Sequence, residues 1–161
     1  MAWTTPATAV ANTGLPAATW NASVRDNLNF LKRAIDGVTA QVTTDKSFGT
    51  TDSTVVTAPS ITGNGTAKVK ITISWFGVTP NAGITTARMR IMEGGTYLAQ
   101  CRLITDNSSN TSCGGSLSVV ITPTAAAHTY LFAAIRDVGP TGSVVACHAE
   151  YPATITVEQF V

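Results

Sequence analysis

The chain has 161 residues, of which 44% are hydrophobic and only 12% charged, and its formal net charge is +1. That length accommodates one domain with an extension. The near-neutral charge excludes the broad basic field expected of a nucleic-acid binder and the polybasic patch expected of a membrane-surface binder. Disorder combines low hydrophobicity with high charge, so this composition argues against it. Gly, Ser, Thr, Asn and Ala fill the gap, as short strands and many turns require.

Residues 1–14 show neither helical nor strand periodicity and read as an extended arm with Trp3 as its bulky anchor. Met1-Ala2-Trp3-Thr4-Thr5-Pro6 lacks the basic and then apolar pattern of a secretion signal. No window approaches the roughly 18 apolar residues of a membrane span. The expectation is a chain assembled in a cytoplasm, with no membrane partner.

"LPAATWNASVRDNLNFLKRAIDGV", residues 15–38, predicts an amphipathic helix. Pro16 suits the first turn, where a missing N–H costs nothing, and Gly37 suits the stop. Val24, Leu28, Leu31, Ile35 and Val38 follow one another at spacings of 4, 3, 4 and 3, with Trp20 a turn earlier, which is the seam of a coiled coil. Little more than two heptads are present, and a helix of that length is marginal alone in water. It therefore packs either across its own β-domain or against sister chains or another partner. Trp3, Trp20, Val24, Leu28, Leu31, Ile35 and Val38 are the candidate anchor and oligomerisation residues.

From residue 40 the period changes to two. "AQVTTDKSF" and "DSTVVTAPSI" are Thr/Val-rich runs broken by Gly49 and Pro59. In "TAKVKITISWFGV" Val69, Ile71 and Ile73 point one way, and Lys68, Lys70, Thr72 and Ser74 the other. "TTARMRIMEGGTYLAQCRLIT" predicts a hairpin around Glu93-Gly94-Gly95-Thr96, with Met89 and Ile91 on the face opposite Arg88, Arg90 and Met92. "SLSVVITPT", "HTYLFAAIRDV", "VVACHAEY" and "ATITVEQFV" complete eight or nine strands at spacings near ten residues. The fold class is mainly β: an antiparallel, jelly-roll-like β-sandwich over residues 39–161, preceded by the arm and helix of residues 1–38.

No HExxH, P-loop, GxGxxG or GxSxG motif is present. His128 and His148 have no carboxylate pair beside them in sequence, and the acidic residues, Asp52, Glu93 and Asp137 among them, are scattered. The expectation is no catalytic residue, no metal ligand and no cofactor. Cys101, Cys113 and Cys147 make an odd count without metal spacing. They read as small, partly buried thiols, or as a Cys101–Cys113 disulfide pinning the loop between them. Trp75, Phe76, Tyr97, Tyr130 and Phe132 fall inside or at the ends of strands, whereas a glycan binder is expected to place aromatics on loops. That favours a structural role.

"WTTP" followed by "TWNASVRDNLNFLK" resembles the N-terminal segment of small virion proteins of tailed phages, especially those infecting actinobacteria. The matching positions are Asn21, Val24, Arg25, Asp26, Asn27, Leu28, Leu31 and Lys32. The strands "DSTVVTAPSIT", "KVKITISW", "ARMRIMEGGTYLAQ", "LSVVITPTAAAHTYLFAAIRD" and "ATITVEQF" are similar to the sandwich that follows it, related in outline to trimeric C1q/TNF-like jelly rolls. The resemblance implies a non-enzymatic virion component, a capsid decoration or head-fibre protein. Its partners would be two sister chains of a homotrimer and the major capsid protein. The alternative it implies is a minor tail or fibre protein that binds a host surface receptor.

Overall fold

The computed structural model describes residue 16, residue 24 and residues 36–79, 85–105, 114–139 and 143–160, without the side chains of residues 36 and 144. Eight strands of five or more residues form two four-stranded antiparallel sheets. In one, the order is β1 (Asp36–Val42), β13 (Ala153–Phe160), β5 (Lys68–Trp75) and β9 (Gly115–Ile121). In the other it is β3 (Ser53–Thr57), β11 (Tyr130–Val138), β7 (Thr85–Glu93) and β8 (Thr96–Thr105). Counted along the chain, these orders are first-eighth-third-sixth and second-seventh-fourth-fifth. Chain neighbours alternate between sheets except at the fourth and fifth, which pair as a hairpin, and this is the winding of a jelly roll. Short pairs decorate its ends: β4 (Ile61–Thr62) with β10 (Ala127–His128), and β12 (Val144–Ala146) between β2 (Lys46–Ser47) and β6 (Gly77–Thr79).

Period-two alternation builds the core. Val69, Ile71 and Ile73 of β5 and Ile155 and Val157 of β13 are fully buried, as are Ala87, Met89 and Ile91 of β7 and Phe132 and Ala134 of β11. They form one cluster between the sheets, joined by Trp75, whose ring centroid lies 5.9 Å from that of Phe132. Each large side chain buried there is worth about 1.5–3 kcal/mol.

The two outer faces differ. Across the first sheet Thr39, Thr156, Thr72 and Ser118 stand in one register row. Thr39 and Thr156 share a hydrogen bond of 3.1 Å, and Thr72 and Ser118 one of 2.9 Å. Ser74 and Thr154 add a bond of 2.6 Å in the next row. Hydroxyl pairs of this kind support a sheet without charge. The second sheet carries the arginines.

The predicted hairpin stands as expected. Gly94 and Gly95 turn it at φ of 53° and 85°, the left-handed region that glycine enters without penalty. The predicted helix lies outside the described residues except at Pro16, Val24 and its final residues, where the structure differs. Asp36, Gly37 and Val38 belong to β1, with Gly37 opposite Glu158 and Val38 opposite Val157. Gly37 therefore continues a strand instead of stopping a helix. Val38, Ala40 and Val42 alternate toward the core, so strand period wins over the seam, and the first strand begins three residues before the boundary drawn at 38/39.

Candidate functional site

The outward residues of β7 and β8 carry a cluster of arginines. A regular hairpin closed at Glu93 and Thr96 would set Arg90 across from Ala99 and Arg88 across from Cys101. A bulge intervenes: Met92 pairs with Tyr97 and Ile91 with Ala99, leaving Leu98 over. Leu98 and Ala99 both pack against the core, and the pairing beyond them is displaced by one residue. Arg90 now faces Gln100, and Arg88 faces Arg102. The same displacement turns Cys101 toward the core, opposite Met89, and places Gln100 and Arg102 on the outer face with Tyr97.

Arg90 is clamped on three sides. Its Nη1 donates to both carboxylate oxygens of Asp52, at 2.7 and 2.8 Å, and its Nε donates to Gln100 Oε1 at 3.2 Å. Its guanidinium carbon lies 5.2 Å from the centre of the Tyr97 ring, within cation–π range. Only 10% of the side chain is exposed, so this cation is a fixture of the sheet.

Arg88 is gripped as a fork. Its Nε donates to Asp137 Oδ2 at 2.7 Å and its Nη2 lies 2.7 Å from Asp137 Oδ1. The Asp137 hydrogen bond is the main reason that the Arg88 pKa is raised above its ordinary value. Asp137 reaches this position because β11 also bulges, between Arg136 and Val138. Arg102 is held differently: its Nε is 4.0 Å from Asp137 Oδ2, and 62% of its side chain is exposed. Arg88, Gln100, Arg102 and Asp137 line a shallow depression of about 520 Å³.

Three guanidinium groups thus meet two carboxylates, leaving one positive charge, and that charge sits on Arg102. Planar donors, an amide, one carboxylate acceptor and an exposed ring equip the face for recognition. Sequence reasoning missed the cluster because Asp52 and Asp137 lie 38 and 49 residues from their arginines. The available signal was the outward alternation of Arg88, Arg90 and Arg102 within one hairpin.

A second cluster caps the end of the sandwich near the hairpin turn. His128 bonds through Nδ1 to Glu93 Oε1 and through Nε2 to the Thr124 carbonyl oxygen at 3.0 Å. Both partners accept, so both ring nitrogens donate, and the His128 pKa is raised, first by Glu93 and then by Thr124. Beside it the buried Tyr130 phenol is pushed up to about 12, chiefly by desolvation. No carboxylate pair stands beside His128 in sequence; the fold brings Glu93 to it.

Trp75, Tyr97, Tyr130 and Phe132 lie in strands and Phe76 directly follows β5, as expected, but several aromatics are exposed. Phe76, between β5 and β6, and Tyr151, in the turn before β13, stack at a centroid distance of 4.4 Å while each stays about half exposed. Tyr97 is 55% exposed. Strand placement therefore does not keep these rings from solvent, and it weighs less toward a structural role.

Of the predicted anchor residues, Trp3, Trp20, Leu28, Leu31 and Ile35 lie outside the described residues, as does Cys113, one half of the expected disulfide. Val24 is partly buried, and Val38 is in β1. Cys101 is partly buried on β8, whereas Cys147 is a buried thiol whose pKa is raised by desolvation.

No family model and no curated protein matches the chain. Among solved structures it is similar to that of infectious bursal disease virus Gx strain, at 12% identity and a TM-score of 0.38. It is likewise similar to the VP2 subviral particle of infectious bursal disease virus, at 13% identity and a TM-score of 0.38, and to the Gt strain, at 12% and 0.31. Each match covers 78% of this chain but only 32%, 37% and 35% of the respective partner, so the chain spans about a third of the viral chains it matches. At such TM-scores the likeness carries no functional weight, and the jelly-roll assignment rests on strand order alone.

Proposed function

We propose that the chain is a non-enzymatic structural component of a phage virion, decorating or cementing the capsid as a homotrimer held by its N-terminal segment. The carrying observation is the open side of the sandwich where edge strands β8 and β9 lie next to each other. Strand β9, "GSLSVVI", has no charge and no proline, and among the described residues its ladder runs to β5 alone. Val120, on the outer face of β9, is 56% exposed, and Ile104, on the outer face of β8 in the other sheet, is 65% exposed. Monomers blunt such edges with lysine, proline or short strands; an assembly covers them with a neighbour. Cyclic packing of three copies around this side would also bring three N-terminal segments together.

Light scattering on the purified chain tests this reading, with Val120→Lys as the variant. The expected outcome is a trimer mass that falls to a monomer in the variant. A wild-type monomer, or an oligomer indifferent to lysine on this edge, overturns it. Imaging of labelled protein on particles separates the locations: many copies over the head mean decoration. A few copies at a tail tip support the second reading, a minor tail protein whose sandwich touches the host surface. That reading is favoured by the exposed Phe76–Tyr151 stack.

A further inference from the structure

The depression between Arg88 and Arg102 has chemistry that neither cementing a shell nor supporting a sheet requires. We propose that it binds a carboxylated sugar, one uronate unit of an acidic polysaccharide, with Arg102 and Gln100 on the carboxylate, Asp137 on ring hydroxyls, and Tyr97 against the sugar's apolar face. The inference is independent of where a particle carries the chain.

Charge comes first. Arg88 and Arg102 stand directly opposite each other on neighbouring strands, an arrangement that is destabilising for like charges. Asp137 brings one negative charge to two guanidinium groups, held at 2.7 Å by the Arg88 fork and 4.0 Å from Arg102 Nε. An incoming monoanion beside Arg102 completes the neutralisation. Guanidinium and carboxylate match as planar partners, and two N–H groups of Arg102 can serve both oxygens at once. Gln100 adds a donor: its oxygen already accepts from Arg90, so its N–H₂ is the end left to give.

The remaining groups select a sugar. Asp137 is a fixed carboxylate in the lining, which repels a dianionic phosphate or sulfate but accepts hydrogen bonds from hydroxyls. A monoanion with neutral donors a few ångströms away, as in a uronic acid, meets less of that repulsion than a dianion and can use both groups. Tyr97 lies next along the outer row, beside the depression and outside its lining, more than half exposed with Arg90 over one face of its ring. An ordered aromatic plane beside polar groups suits the C–H face of a pyranose. The depression, at about 520 Å³, is shallow and open to solvent, which suits one unit of an extended polymer lying across it.

The test is a titration of the full chain with an oligosaccharide of alternating glucuronate and N-acetylglucosamine, followed by calorimetry and by side-chain NMR of Arg102 and Gln100. A neutral N-acetylglucosamine oligomer and inorganic phosphate serve as the other two ligands. Binding of the glucuronate oligomer is expected to weaken at least tenfold in Arg102→Ala, to weaken also in Arg102→Lys, which keeps the charge but loses the fork, and to stay unchanged in Lys70→Ala on the opposite sheet. Because Arg102 is 62% exposed, its removal leaves the core intact, and an unaltered Tm verifies this. Gln100→Ala provides a second variant with the same expected direction. The proposal fails if the neutral oligomer binds equally, if phosphate binds more tightly than glucuronate, if Arg102→Ala retains full affinity, or if no ligand shifts the Arg102 and Gln100 resonances.

Discussion

Arg88 and Arg102 face each other across the β7–β8 hairpin, and the carboxylate of Asp137 is the group that lets them do so. Asp137→Asn keeps the shape of the side chain but removes the charge between the guanidinium groups. The variant is expected to unfold at a lower Tm. Its deficit should shrink between roughly 0.01 M and 1 M salt, where the screening length falls from about 30 Å to about 3 Å. Adding Arg102→Leu to that variant should restore part of the loss by removing one member of the repelling pair. A deficit insensitive to salt would mean that Asp137 acts through hydrogen-bond shape alone.

The hairpin turn that sets this face up depends on glycine in a way open to direct measurement. Gly95 has φ of 85° and no heavy atom near its missing Cβ, so substitution meets backbone strain and nothing else. Gly95→Ala is expected to cost about 1–2 kcal/mol, the penalty of holding an L-residue in the left-handed region. Gly49, also with open space around it but without a positive φ, is the control, and Gly49→Ala should be close to neutral. Denaturant unfolding of both variants checks the difference. Equal effects would show that the turn tolerates side chains by changing type.

Strand alternation in β5 and in the hairpin was readable in the sequence because each strand buries one face and exposes the other, so the period of the fold is written in residue type. The Gly94-Gly95 turn was readable for the same local reason. Other features depended on distant parts of the chain. The one-residue displacement that pairs Arg88 with Arg102 comes from Leu98 and Ala99 both reaching the core, and hairpin sequence alone does not report which residue will be left over. The acidic partners of the arginines sit on β11, which the jelly-roll winding places beside β7, and just ahead of β3, on the far side of β11. Asp36-Gly37-Val38 satisfied both a helical and a strand period, and pairing with β13 decided between them.

Protonation of His128 gives a pH dependence with a defined sign. Its pKa is raised above 6.5 in the folded chain, first by Glu93 and then by the Thr124 carbonyl. A raised pKa means that folding favours the protonated form. This contribution is fully present below pH 6.5 and disappears as pH rises through the higher folded value. The Tm of the wild type should therefore decline from weakly acidic to mildly alkaline solution more than that of Glu93→Gln, which lacks the carboxylate. Because His128 lies on β10 and Glu93 ends β7, the loss should begin as local opening of the β4–β10 pair, visible as faster amide exchange at Ile61 and His128. Identical pH profiles for the two proteins would remove this ion pair from the stability of that end.

Where the sandwich begins determines how the anchor can be tested. Cutting the chain after residue 38 removes Asp36, Gly37 and Val38, which pair with Gln159, Glu158 and Val157 on β13, and so damages the sheet along with the proposed anchor. Val38 is half-buried against the core, so its loss alone costs on the order of 1 kcal/mol, about half the worth of a fully buried valine. A chain of residues 36–161 keeps β1 whole and is expected to unfold cooperatively at the Tm of the intact sandwich, whereas residues 39–161 should unfold several degrees lower. Under the virion assignment the 36–161 chain should also fail to join particles, although it is folded. Comparing the two truncations in one incorporation experiment separates loss of the anchor from loss of the fold. Full incorporation of residues 36–161 would leave residues 1–35 without the role proposed for them and shift attachment to the β8–β9 side of the sandwich.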